Sequence, residues 1–298
     1  MRSLEGKPVA LSIKKWVASE VQKIQGEHGW SPTLVTVQIG ENLASERYIN
    51  SQIKACEEAG IKAKFIKYPK DIKKVDFLKE IDKIAKDNAI DGIIVQTPLP
   101  QDWKMSEIIN AISPDKDVEG VHPENLGRLY LGEEGTPKPC TAWAALTLLE
   151  WHGYSSFEEK NCVVVGRSAN VGRAVANMLM HKNGTVAVCH TKTSEKQLKK
   201  MLSTADVVVV AAGVPGIVKT NELTQEAWVI DVGTNFDPQG KLVGDVLLES
   251  ENDIEAISPV PGGVGPITVS LLLVNLLLCA TKRRLGNSLI FPKLSDLR

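Results

Sequence analysis

An apolar run, Cys162-Val163-Val164-Val165, ends abruptly at Gly166 and gives way within a few residues to a helical pattern over about 171–180. A strand with no polar face needs cover on both sides, which parallel sheets between helices provide. The same alternation runs through the chain. Residues 7–24 carry apolar side chains mostly at three- and four-residue spacing, predicting an amphipathic helix. Residues 33–40 and 63–68 read as strands, 45–59 and 75–85 as helices, and 91–96 as a buried strand. After a polar stretch with Gly and Pro at 132–139, a second cycle follows: helix 142–151, strand 161–165, then strands at 185–189, 206–211 and 228–232 with a helix at 195–202. That order is the doubly wound α/β pattern of a nucleotide-binding domain. A last, very apolar helix at 267–284 is expected to lie buried between the two halves.

Composition removes several classes of function. The 298 residues hold 35 Lys plus Arg against 36 Asp plus Glu, so no basic block offers a grip on nucleic acid. The longest apolar stretch, 269–280, falls short of the roughly 20 residues of a bilayer crossing. The N-terminus has no apolar signal core, and five scattered cysteines are expected to be free thiols in a reducing cytoplasm. No histidine has a partner at metal-ligand spacing, so no metal site is expected.

In Val165-Gly166-Arg167-Ser168-Ala169-Asn170-Val171-Gly172 the helix start offers unpaired N–H groups and a positive dipole end to a phosphate. The spacing departs from G-x-G-x-x-G, because Ser168 replaces the second glycine and Gly172 comes one residue late. The next strand ends at Cys189-His190-Thr191-Lys192 without the acidic residue that binds the ribose 2′-hydroxyl of NAD. Arg167, Thr191 and Lys192 would instead meet a 2′-phosphate, which favours NADP. In the first half, Ile49, Ile53 and Cys56 form the core stripe of a helix, while Tyr48 and Gln52 share another face. Gln96 sits at the carboxyl end of a strand, where open α/β sheets collect ligands. A charged turn, Asp115-Lys116-Asp117-Val118-Glu119-Gly120, follows.

The segments ASERYINSQIKACEEAGIKA, GIIVQTPLP, SPDKDVEGVHPENLGRL, PCTAWAALTLLE, VVVGRSANVGR, VAVCHTKT and PVPGGVGPITVSLLL resemble, in order, the motifs of the methylenetetrahydrofolate dehydrogenase/methenyltetrahydrofolate cyclohydrolase family. The resemblance implies a cytoplasmic homodimer in one-carbon metabolism and purine biosynthesis. It implies a folate-binding catalytic domain at 1–141, completed by 267–298, and a Rossmann-like NAD(P) domain at 142–266. The cleft between them would bind tetrahydrofolate. Tyr48 matches the tyrosine lining the folate site, and Gln96 the glutamine that hydrogen-bonds a catalytic lysine. Glu119 matches an aspartate that holds the pterin. Pro261, Gly262 and Gly263 fall in a loop over the substrate. Gly166, Arg167, Ser168, Thr191, Gly265 and Thr268 fall on cofactor positions.

At the catalytic lysine position itself this chain has Gln52. Lys54 lies two residues on, about 200° around the helix. Hydride loss from the methylene carbon is driven by the flanking nitrogens and needs alignment, not a proton carrier. Hydrolysis of the methenyl cation needs a base for the attacking water, and such help is worth about 10² to 10⁴ in rate. The expectation is therefore a dehydrogenase whose cyclohydrolase activity is lost or weak. Two alternatives stand beside it: a bifunctional enzyme in which Lys54 or Glu119 handles the proton, and a silent folate- or nucleotide-binding paralogue.

Overall fold

The computed structural model describes residues 1–250, 253–286 and 289–298. Its first unit opens with helix α1 (Gly6–His28), which buries Val9, Ile13, Val17, Val21 and Ile24 and stops at Gly29 in the left-handed region. Strand β1 (Thr33–Ile39), helix α2 (Leu43–Glu58), strand β2 (Lys62–Tyr68), helix α3 (Lys74–Lys86) and strand β3 (Gly92–Val95) follow. The strands form a parallel sheet in the order β2-β1-β3. The alternation of β1 reads as one-sided, yet all seven residues are buried. As the central strand it is covered on both faces, so Thr33, Thr36 and Gln38 are buried with the valines.

Two short helices escaped the sequence reading, α4 (Met105–Ile109) and α5 (Pro123–Leu131). Pro123 sits at the first turn of α5 and the His122 side chain accepts from Glu124 N, a start signal that a proline inside a charged stretch conceals. Helix α6 (Cys140–Trp151) then leads into strand β4 (Asn161–Val165), helix α7 (Ala174–His181), strand β5 (Thr185–Cys189), helix α8 (Glu195–Leu202), strand β6 (Val207–Val210) and strand β7 (Trp228–Asp231). These strands are parallel in the order β5-β4-β6-β7. The sheet is extended by Ala256–Ile257 and then by the N-terminal residues Arg2–Ser3. The chain's first residues thus pair with its second unit. The winding direction reverses between β4 and β6, where this fold class places its ligand.

Helix α9 (Val264–Leu285) starts between the two units and packs along α1 and α6. By length and composition it could cross a bilayer, beyond the shorter stretch read from sequence, but 83% of its apolar window is buried inside the protein. Gly92 lets it in: a Cβ there would lie 2.3 Å from Val118 Cγ1 and 2.7 Å from Leu276 Cδ1. Asn275, buried on α9, donates to the carbonyls of Val118 and Lys138 and to Cys140 Sγ.

Candidate functional site

Helix α2 begins at Asn42, whose side chain accepts from Ser45 N at 2.9 Å, while Ser45 Oγ donates to Thr97 O at 2.7 Å. These bonds fix α2 against the exit of β3, and Gln52 meets Gln96 across that junction. Gln52 is fully buried. Its Oε1 accepts from Gln96 Nε2 at 3.4 Å and from Thr36 Oγ1 at 3.5 Å. A buried donor left unpaired costs about 1–3 kcal/mol, which a hydrogen bond from this amide to the neighbouring Tyr48 hydroxyl offsets. Tyr48 lies on the same face, close enough to Gln52 and Glu119 to feel both, and burial pushes its hydroxyl pKa well up. Lys54 is exposed, away from this face.

Glu119 stands near Tyr48 on the turn that follows α4. Burial first, and the neighbouring Asp117 second, push its pKa up to about 7. Asp117 is pinned by His122 N at 2.7 Å and Asn125 Nδ2 at 2.9 Å. Gly120, at φ +68°, presses so closely on Lys138 and Pro139 that a side chain has no room. Cys140 is buried beneath, its pKa raised by burial and by Glu119, and it is a packed thiol as expected.

In the second unit, Gly166 adopts φ +130°, and a Cβ there would lie 2.2 Å from Ala211 O. A Cβ on Gly172 would meet Gly166 O at the same 2.2 Å. The tight turn therefore needs both glycines, and Ser168 fits where the second glycine of the familiar spacing would stand, because it is exposed. Gly166, Arg167, Ser168 and Thr191 line one cavity of about 630 Å³ at the ends of β4 and β5. Lys192 does not line it. Lys199 and Lys219 do, with Lys199 paired to Glu195 at 2.7 Å and Glu222 at 3.6 Å.

One carboxylate here has no signal of its own in the sequence. Asp245, fully buried, accepts from Ala212 N at 2.7 Å, Gly213 N at 2.8 Å and Asn235 Nδ2 at 2.8 Å, and so fastens the loop after β6 that lines the cavity. Asp231, at the end of a strand beside the cofactor side, accepts from the Gly233, Asp245 and Val246 N–H groups, a structural role. The available signal was glycine: Cβ atoms on Gly233 and Gly244 would strike these very carboxylates.

The loop at 259–265 is packed against the start of α1 and against its own preceding residues. Gly6 N donates to Gly262 O, and a Cβ on Gly6 would lie 1.8 Å from Gly263 O. Gly263 also packs against Ser258 and Pro259. Pro261 follows a cis peptide bond, and Thr268 Oγ1 donates to Val264 O within α9. Gly265 has open space where its side chain would be, on the first turn of α9.

A glycine turn lining a cavity at the switch point of a parallel sheet, joined by buried helices to another α/β unit that sets Gln52 against Gln96 at its strand ends, defines a two-domain enzyme that pairs a dinucleotide domain with a substrate domain. Residues 4–119 match the tetrahydrofolate dehydrogenase/cyclohydrolase catalytic domain, and residues 139–284 match the NAD(P)-binding domain of the same family. The chain belongs to the tetrahydrofolate dehydrogenase/cyclohydrolase family. It is 39% identical over 282 residues to the bifunctional protein FolD of Staphylococcus haemolyticus, covering 94% of this chain and 97% of that protein. The bifunctional FolD enzyme of Campylobacter jejuni superposes with a TM-score of 0.90 at 37% identity, over 95% of this chain and 99% of that one. The methylenetetrahydrofolate dehydrogenase-cyclohydrolase of Trypanosoma brucei, solved with NADP and an inhibitor, gives 0.89 at 33% identity over 94% and 97% of the two chains.

Proposed function

We propose that this chain oxidises 5,10-methylene-tetrahydrofolate to the 5,10-methenyl cation with NADP favoured over NAD, and that Gln52 has removed its cyclohydrolase activity. The observation that carries this reading is the buried Gln52 amide. It keeps the hydrogen bond to Gln96 but has no proton to exchange near neutral pH.

The chain's own work is to align two reactants and exclude water. In this reading Tyr48, Gln96 and Glu119, with Pro261, Gly262 and Gly263, hold the folate, within a domain of residues 1–141 completed by 267–298. The raised pKa of Tyr48 keeps its phenol a neutral hydrogen-bond donor throughout the physiological range. Residues 142–266 hold the dinucleotide: Gly166 and Gly172 permit the tight turn, and Arg167, Ser168 and Thr191 stand at the cavity wall, while Gly265 and Thr268, on the first turns of α9, complete the site. Two positive groups suit an extra phosphate, since Arg167 is exposed and Lys219 lines the same cavity. A bound nicotinamide supplies the hydride acceptor. The methenyl product then needs a separate hydrolase in a cytoplasmic one-carbon route that serves purine biosynthesis.

A second reading has one observation in its favour. Glu119, with a pKa near 7, is suited to proton transfer and would make the enzyme bifunctional despite Gln52. Purified protein given 5,10-methylene-tetrahydrofolate with NADP or NAD separates the two. The expected result is reduced nicotinamide, faster with NADP, and methenyl product that decays no faster than without enzyme. Gln52→Lys is expected to keep the dehydrogenase and to gain about 10² or more in methenyl hydrolysis. Rapid hydrolysis by the unmodified protein, abolished in Glu119→Gln, would establish the second reading instead. Reduction of neither cofactor would leave a binding paralogue.

We also propose a homodimer. β5 is the open edge of its sheet, and Val188 on it is 39% exposed, with Met180, Tyr130 and Leu131 exposed on α7 and α5 nearby. An edge strand flanked by exposed apolar side chains fits a second copy of the same strand.

A further inference from the structure

We infer that a second cavity, walled by α6, α7, α9 and the segment 289–294, is a binding site for a small molecule that joins an aromatic body to one anionic group. It stands apart from the site described above: none of its residues lines the dinucleotide cavity, and none is among those given to the folate.

The cavity encloses about 380 Å³, a size within the roughly 300–1,000 Å³ of pockets that take small ligands. Its floor is apolar. Trp143 and Leu146 from α6, Met178 from α7 and Leu278 from α9 are all buried, and Phe291 comes across from the segment after α9. The Phe291 ring meets Trp143 at 5.2 Å and Trp16 at 5.3 Å, edge to face in both cases, which fixes that segment as a wall. Ile290 stands at the rim, 83% exposed, an apolar side chain that a bound ring would cover. Met178 and Lys182, four residues apart, share one face of α7, whereas Met180 of the proposed dimer edge lies on another, so a second copy there leaves this cavity open.

Two donors reach the cavity without a partner. Lys138 lines it, and among the described residues its ammonium makes neither an ion pair nor a hydrogen bond; it lies over the Trp143 ring, 5.2 Å from the centroid. A ring face attracts the charge but leaves N–H donors of the ammonium unspent. Thr147, 2% exposed, also lines the cavity, and its hydroxyl has no hydrogen bond among the described residues. The other charges here are engaged or outside: Lys182 is paired with Glu150, and Lys293 and Glu134 are exposed. Burial lowers the pKa of Lys138 and Lys182 acts in the same sense, while Glu134 and Glu150 oppose them. A half-buried ammonium with no carboxylate in contact gains a charge-assisted hydrogen bond from an anion that the ligand brings. Its position is set in advance, because Lys138 N donates to Asn275 Oδ1 at 3.2 Å and Lys138 O accepts from Asn275 Nδ2 at 2.8 Å. A cation and a hydroxyl donor beside an aromatic floor suit a ring that carries a carboxylate, sulfonate or phosphate.

The test is equilibrium dialysis of the full-length protein against 2-naphthoate, with neutral 2-naphthamide as its counterpart, each with and without excess NADP. The acid is expected to bind once per chain, about fivefold or more tightly than the amide, and NADP should not displace it. Lys138→Met keeps the backbone bonds to Asn275 and should weaken the acid at least about fivefold while changing the amide less than about twofold. Lys138→Arg should keep the preference for the acid, and cooperative melting of both variants shows that they fold. Equal affinity for acid and amide in the unmodified protein, or acid binding unchanged in Lys138→Met, overturns the inference. So does displacement by NADP, which places the probe in the dinucleotide cavity, and so does a change of oligomeric state in Lys138→Met, which gives this face to a second copy of the chain.

Discussion

At position 119 the carboxyl group stands one methylene further from the backbone than an aspartate's would, and it is hard to ionise there. Its pKa rises from 4.5 to about 7, mainly through burial. The folded state thus favours the neutral form, and the unfolded chain loses its proton near 4.5. Stability from this group is fully present below about pH 4.5, declines as pH rises from there to about 7, and is level above that. A difference of that size corresponds to about 3 kcal/mol at most. Glu119→Gln copies the neutral form, so it should raise thermal stability over the unmodified protein at pH 8 and change little near pH 4.5. Melting curves at the two pH values check this, and a parallel shift at both would mean that the carboxyl is not the cause. Part of the site is legible at this scale. That Tyr48 and Gln52 share a face follows from helical spacing alone, and Gln96 at a strand end follows from strand length. The setting of the Gln52 amide was invisible, because it depends on where Thr36 and Gln96 arrive from strands outside the helix.

Between elements, small residues decide the approach distances. A Cβ at Gly92 would strike Val118 and Leu276 well inside contact distance, so Gly92→Ala should cost about 1–3 kcal/mol as β3 and α9 are forced apart. Chemical denaturation reads this as a lower midpoint at unchanged slope. Asp245 acts on the cofactor side: it gathers the N–H groups of Ala212 and Gly213, and Ala212 lines the 630 Å³ cavity. Asp245→Ala leaves those donors unpaired and frees the loop. Its expected signature is a tenfold or greater rise in KM for the nicotinamide cofactor with KM for folate nearly unchanged, together with a loss of about 1–3 kcal/mol in stability. Equal rises in both constants would point to general loosening. The strand and helix alternation was readable because its periodicity is strong, including the parallel character of Val163 to Val165. The roles of Gly6 and Gly263 were not, since each glycine is needed by a backbone that is distant in sequence.

On the scale of the whole molecule, α9 ties the two units together, and its far end is anchored where Arg283 and Arg284 both reach the buried carboxylate of Asp91. Its near end begins at Gly263, against α1. With the helix fixed at both ends, the dinucleotide sheet keeps its place beside the folate pocket, and its β5 edge stays turned outward. Open edges invite pairing, and natural proteins blunt them with charge unless they use them. β5 carries no charged residue from Thr185 to Cys189, and Val188 is exposed on it. Two copies pairing along this edge would bury the apolar groups on α5 and α7 as well, while both pockets remain within their own chains. A lysine at Val188 would place like charges across the two-fold contact and leave the monomer's core untouched. Sedimentation at micromolar concentration should therefore show a dimer for the unmodified protein and a folded monomer for Val188→Lys, with KM for each ligand changed less than about threefold. A monomer in both cases would remove the dimer proposal and leave the catalytic reading intact, because the residues assigned to either ligand all come from a single chain.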